Sequence, residues 1–298
     1  MMRKTKRFTP NLLDRYEKIG RGTGTYKNYQ PWHQVTRGDP SSIGLSSKPM
    51  WKGRQRDFLS GDEWVCFFFS TMLQNIEDVR EQFPLQIEEG SHELNAYNIR
   101  HGGYFPGTRE IASTLGIKHP RINGNGRSTL WKMTTDLLLT LRRPDGSYYL
   151  LAIACKPINF KERKRTKEKL EIERAYWMAR DTEWLLITPN EYRREVALTL
   201  KNSFAWALDI PVKNEELRNV VENIQNFNGF PLTSCLCAFA EFFDDMNLAQ
   251  RSIWQCAWSG RVCMDLLRGW RPHLPIRLIS AKEFWQLNPI ASRRSSWI

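Results

Sequence analysis

The sequence predicts an α/β fold followed by a smaller, mainly helical region, and three observations carry that prediction. Two apolar runs of strand length, 135–141 (TDLLLTL) and 148–155 (YYLLAIAC), flank the turn signal Pro144-Asp145-Gly146-Ser147, the mark of a β-hairpin. A helical stretch from about 166 to 180 then leads to a further buried strand at 184–188 (WLLIT), closed by Pro189-Asn190. Beyond it the apolar spacing is helical over 191–207, 213–226 and 232–268, before Pro272, Pro275 and a short β-prone stretch at 276–279. Strands interleaved with helices, then helices alone, divide the chain into 1–188 and 189–298.

The elements before the hairpin follow in order. Residues 1–19 form a basic arm with a short helix at 12–18, and 20–56, rich in Gly, Pro, Ser, Lys and Arg, read as loops with short extended pieces. Ser60-Gly61-Asp62-Glu63 has the capping-box pattern, with Ser60 at the N-cap and Glu63 at N3 of an apolar helix to about Leu73. VREQFPL at 79–85 is extended, and 86–130 is mostly loop with short helices, one near 108–115.

The 298 residues carry a net charge of +12, with 41% hydrophobic and 12% aromatic residues, which excludes a disordered chain. Residues 1–60 hold 13 Lys and Arg against 4 Asp and Glu, nine of the twelve net charges. A basic, folded, Trp-rich chain points to a polyanion, nucleic acid first. The six cysteines form no CxxC pair, and Cys66 lies inside an apolar run, which suits reduced thiols and a cytoplasmic setting. No apolar h-region follows the basic start and no run approaches the ~20 residues of a membrane span.

Four residues draw together as candidates for chemistry: Glu63 on the first helix, Asp136 and Lys156 at the hairpin's open end, and Glu173 on the next helix. A three-residue loop at 144–146 pairs Arg143 with Ser147 and sets Asp136 opposite Ala154, diagonal to Lys156; a two-residue loop would separate them. Converging carboxylates bind a hard cation such as Mg²⁺, with Mn²⁺ as a substitute, and a metal lowers the pKa of bound water while polarising a phosphodiester. On spacing alone the plainer reading stands beside it: a capping glutamate, a strand-edge aspartate, a solvated lysine and a glutamate of a charged helix face. Gly20-Arg21-Gly22-Thr23-Gly24 follows no strand and lacks GK[ST], so it is no nucleotide loop. Arg21 and Lys27 there, Lys118, and Lys161, Arg163 and Lys164 in the basic run 161–169 are expected on DNA phosphates. Tyr29, Trp32 and His119 are expected to pack.

With these residues in view, the chain resembles the TnsA family, the endonuclease subunit of heteromeric cut-and-paste transposases. The resemblance rests on RGTGTYKNYQPWHQV at 21–35, the Ser60–Glu63 helix start, VREQFPL at 79–85, GIKHP at 116–120, MTTD at 133–136, ACKP at 154–157 and LEIERAYW at 170–177. It implies a restriction-endonuclease-like, PD-(D/E)xK catalytic domain and a winged-helix-like C-terminal domain, with 276–279 as a wing strand. It also implies Glu63 as first acid, Asp136 as central metal ligand, Lys156 as catalytic lysine and Glu173 as an additional acid, with Glu63, Asp136 and Glu173 on the metal. One departure is Ala154, where the family often has Gln or Glu; another acid or a water would supply that ligand. The implied activity is Mg²⁺-dependent cutting at the transposon's 5′ ends. The implied partners are duplex DNA, a DDE-type transposase (TnsB) and an ATPase regulator (TnsC) bound through the C-terminal part. A stand-alone restriction or repair nuclease and an inactive assembly subunit are the alternatives.

Overall fold

The computed structural model describes residues 8–37, 46–268 and 271–297, apart from the side chain of Lys161. The first seven residues of the basic arm, where part of the opening charge lies, fall outside that description. The described chain runs α1 (Pro10–Lys18), β1 (Met50–Trp51), β2 (Arg54–Gln55), α2 (Gly61–Thr71), β3 (Ile76–Pro84), α3 (Thr108–Thr114), β4 (Arg121–Gly124), β5 (Arg127–Leu130), β6 (Thr134–Arg142), β7 (Tyr148–Cys155), α4 (Lys164–Met178) and β8 (Glu183–Ile187). It continues through α5 (Arg194–Leu208), α6 (Asn214–Asn223), α7 (Leu232–Phe243), α8 (Met246–Trp258) and α9 (Ala281–Gln286).

Two compact units form. One comprises the chain up to Trp64, Asn75–Thr188 and the residues from Ser296 on; the other comprises Val65–Gln74 and Pro189–Ser295. The helix that begins with Glu63's turn therefore belongs to the first unit only at its N-terminus.

In the first unit the strands pair in the order β3-β6-β7-β8, antiparallel except for β8, which runs parallel to β7. The parallel pair needs a crossover, and α4 supplies it. The hairpin has the three-residue loop: Arg143 N–H donates to Ser147 O at 2.7 Å, and Leu137 pairs with Ile153. Leu150, Ala152, Ala154 and Leu186 from the strands pack with Leu170, Ile172, Tyr176 and Trp177 from α4 in one buried cluster. The face of β3 is tied to the β1–β2 ribbon by a buried double contact from Arg54 to the carboxylate of Glu81 at 2.6 and 2.7 Å, a charge-assisted fork that fixes register as well as position.

Three expectations are corrected. The region 86–130 is not simply loop: Arg121–Gly124 and Arg127–Leu130 form a two-stranded ribbon. The stretch 232–268 is not one helix. It breaks at Asp244, which takes a left-handed conformation (φ 53°), and Asp245 then caps α8 by accepting the Asn247 N–H. Short polar side chains make that local hydrogen bond in place of helix continuation. The wing strand at 276–279 does not form: Met264–Leu278 and Pro231–Pro275 are isolated bridges, and no strand occurs in the second unit among its described residues. Pro272 and Pro275, which lack backbone donors, border that stretch. No described helix is long and apolar enough to cross a membrane.

Candidate active site

Asp136 stands near the start of β6, 8% exposed. Its Oδ2 accepts the Cys155 N–H at 2.7 Å and the Lys156 Nζ at 2.6 Å. Both donors come from the end of β7, where Pro157 stops the strand, so the hairpin register itself delivers them. Lys156 Nζ also donates to Cys155 O at 2.9 Å. Burial disfavours the ammonium, yet Asp136 and then Glu173 more than offset it, and the Lys156 pKa lies above the ordinary lysine value. It is a fixed positive charge.

Glu63 is held by the turn that starts α2. Its N–H donates to Ser60 Oγ at 3.2 Å and its Oε1 accepts from the same hydroxyl at 3.1 Å. Its Oε2 accepts the Leu59 N–H at 2.8 Å, one residue before the expected partner of a capping box, and the Gln82 Nε2 at 3.1 Å. Burial first, then the charge of Asp136, push its carboxyl up to about 7. Glu173, 4% exposed, accepts the Trp184 Nε1 at 3.2 Å. Burial and, less strongly, Asp136 raise it to about 7 against the opposing pull of Lys156.

The structure thus brings Lys156 into contact with Asp136, and Glu63 and Glu173 within the electrostatic reach of both. It does not gather the three acids into one cage: among the described residues no three His, Cys, Asp or Glu side chains are placed to hold a metal ion together. The fit to a cation rests on the carboxylates of Glu63 and Asp136, hard oxygen donors of the kind a hard divalent ion takes, the charge of Asp136 being felt by Glu63. Those donors fit Mg²⁺ or Mn²⁺. Glu173, expected on the metal, accepts from Trp184 and is influenced by Thr135 and the charge of Lys156. Ala154 is fully buried in the cluster with Trp177, Trp184 and Leu186, so its position carries packing and no ligand.

One residue near the acids escaped sequence reasoning, and a second was read only as part of the basic run 161–169. Gln82 is 2% exposed and touches Glu63 directly; the sequence carried no local signal for it, because it ends a run of three polar residues, Arg80, Glu81 and Gln82, that only the fold buries. Lys169 stands one helical turn before Glu173, and after burial the charge of Lys156 is the largest influence lowering its pKa. The i, i+4 spacing to Glu173 was legible.

The expected phosphate contacts divide. Lys27, Lys118, Arg163 and Lys164 are exposed. The side chain of Lys161 lies outside the described structure. Arg21 is corrected: it is 7% exposed, donates to Trp32 O at 3.3 Å and lies 3.9 Å from the centre of the Tyr16 ring, so it is spent on packing and offers a phosphate little. Tyr29 and Trp32 are buried, and His119 joins Thr108 Oγ1 at 3.0 Å.

Comparison with known proteins shows what the chain is similar to. Residues 73–189 match the family described as TnsA-like endonuclease N terminal, a span that contains Asp136, Lys156 and Glu173. The chain is 31% identical over 217 residues to the transposon Tn7 transposition protein TnsA of Escherichia coli, covering 73% of this chain and 68% of that protein.

Proposed function

This chain belongs to the TnsA family, and from that premise we propose that it is the Mg²⁺-dependent DNA endonuclease of a cut-and-paste transposition complex. The observation that carries the reading is the grip on Asp136, whose one carboxylate oxygen takes both the Cys155 N–H and the Lys156 ammonium beside Glu63. Glu63 and Asp136 would hold the cation. A divalent cation bound there supplies Lewis acidity and a water of lowered pKa.

The chain's own residues do the rest. The Lys156 ammonium stays charged at neutral pH, so it donates hydrogen bonds to the attacking water and the scissile phosphate and serves as no base. Glu173 offsets that charge in the apo site and, with Asp136, keeps the lysine directed inward. Water attacks phosphorus in line, the P–O3′ bond breaks, and the products are a 3′-hydroxyl and a 5′-phosphate.

Exposed Lys27, Lys118, Arg163 and Lys164 would follow the duplex backbone. The first turn of α4 carries Lys164 and Arg165 and no acid, against the preference of a helix dipole for negative charge there. A DNA phosphate removes that conflict. The cut is assigned to the non-transferred strand at the transposon's 5′ ends, beside a DDE-type transposase of the TnsB kind and an ATPase of the TnsC kind that contacts the C-terminal unit. Asp136→Asn is expected to abolish nicking in the reconstituted complex while DNA and partner binding persist. Undiminished nicking by that variant refutes the site. Ala154 favours one second reading, an assembly subunit that does not cut; wild-type protein that fails to nick in the complete complex, with no Mn²⁺ bound, would establish it.

A further inference from the structure

We propose that Gln82 is a positioning residue of this site: its carboxamide sets the Glu63 carboxylate for the cation, and the glycine-rich loop at 20–32 holds β3 in the bent form that allows it. The inference rests on the metal-nuclease reading above. Gln82 lies inside a strand yet has φ 49°, a left-handed conformation that a non-glycine residue seldom takes and that clusters at functional sites. Glu81 pairs with Leu137 and Phe83 with Thr135, so Gln82 falls across from Asp136, where the pairing is interrupted. Its carbonyl instead accepts the Trp32 N–H at 3.2 Å, and the neighbouring Glu81 carbonyl accepts the Tyr29 hydroxyl at 3.1 Å. Both donors belong to the loop that the sequence singled out and that nucleotide binding did not explain.

The loop is fitted closely to this strand. Gly22 has φ +80°, and a Cβ there would lie 2.2 Å from Pro84 Cγ, two residues past Gln82. With the backbone bent, the buried Gln82 side chain reaches Glu63, donating from Nε2 to Oε2 at 3.1 Å. Leu59 N–H reaches the same oxygen at 2.8 Å. Two donors fix the orientation of one carboxylate oxygen. A carboxamide does so without placing another negative charge beside Glu63 and Asp136, which a glutamate at this position would do. Partners of this kind, one bond removed from a metal, orient its ligands.

The test uses the full chain with Mn²⁺ alone as probe, its affinity measured by the electron paramagnetic resonance signal of free Mn²⁺. Gln82→Leu keeps bulk and removes the donor. We expect Mn²⁺ to bind about 10–100-fold more weakly, with a thermal midpoint near that of the parent. Nicking in the reconstituted complex should fall at low Mn²⁺ and recover as Mn²⁺ is raised. Parent-like Mn²⁺ affinity in the folded Leu variant overturns the inference. If that variant does not fold, Gln82→Asn decides: asparagine tolerates the left-handed backbone, and one methylene less withdraws the amide from Glu63. Weakened Mn²⁺ binding in Gln82→Asn supports the inference and parent-like affinity overturns it. Glu63→Gln separates the two levels. If it binds Mn²⁺ and nicks like the parent, the metal-site reading itself fails. If it does neither while Gln82→Leu behaves as the parent, only the role of Gln82 is lost.

Discussion

Burial, and after it the charge of Asp136, raises the carboxyls of Glu63 and Glu173, while Asp136, ahead of Glu173, holds Lys156 protonated against its own burial. The two glutamates consequently keep a proton in the folded, metal-free protein up to about 7, whereas an unfolded chain releases it near 4.5. The folded state binds more protons in that window, so stability falls as pH rises from about 4.5 to about 7 and levels off above. Each group contributes at most roughly 3 kcal/mol to the change. Metal-free protein should melt at a higher temperature at pH 5.5 than at pH 8, and Glu173→Gln should flatten that slope by about half. Melting temperatures that climb over this range, or a slope unaltered by the substitution, would contradict the assignment. Arg21 teaches the opposite lesson at this scale: a basic residue in a basic loop is not a phosphate contact when its guanidinium lies on Tyr16.

At the level of elements, three strand segments, the start of α2 and the middle of α4 build the site. The β6–β7 loop fixes the register that brings Lys156 to Asp136, and the Ser60 turn fixes Glu63. The loop at 20–32 bears on β3, which makes its glycines testable. Gly22→Ala forces a left-handed alanine against Pro84, where it is expected to cost more than the ~1–2 kcal/mol of backbone strain alone and to weaken Mn²⁺ binding with it. Gly53→Ala is the control, since its Cβ meets nothing within 4 Å at φ +73° and only the backbone strain applies. Equal losses in chemical denaturation for the two variants, with unchanged Mn²⁺ affinity, would show that the loop does not support the site. The hairpin was legible because its turn residues and the apolar runs of strand length on either side are local signals. The break at Asp244 was not, because helical apolar spacing continues on both sides of it.

For the molecule as a whole, the net charge of +12 resolves into residues with different tasks. Arg54 and Arg56 are buried beside Glu81, and Arg21 packs on Tyr16, while Lys27, Lys118, Arg163 and Lys164 face solvent. Only exposed cations displace counterions from DNA. Replacing those four lysines and arginines with glutamine should lower the slope of log affinity against log salt by up to about 0.9 for each phosphate no longer neutralised. Arg21→Gln should leave that slope unchanged and lower the thermal midpoint. A measured slope that responds to Arg21 and ignores the exposed four would reverse this division.

By itself the sequence determined the order of the central elements and the capping turn at Glu63 and singled out four candidate site residues, since each depends on near neighbours or on motifs held in a fixed order; it left the hairpin loop open between two and three residues, and the pairing of Arg143 with Ser147 decided it. Tertiary structure alone decided that Asp136 is shared by Cys155 and Lys156, that Glu173 accepts from Trp184, that Arg21 is buried, and that Gln82, in the strand opposite Asp136, donates to Glu63. Those outcomes depend on side chains tens of residues apart meeting in a packed interior, where burial and the charge of a neighbour, unreadable from spacing, set what each group does.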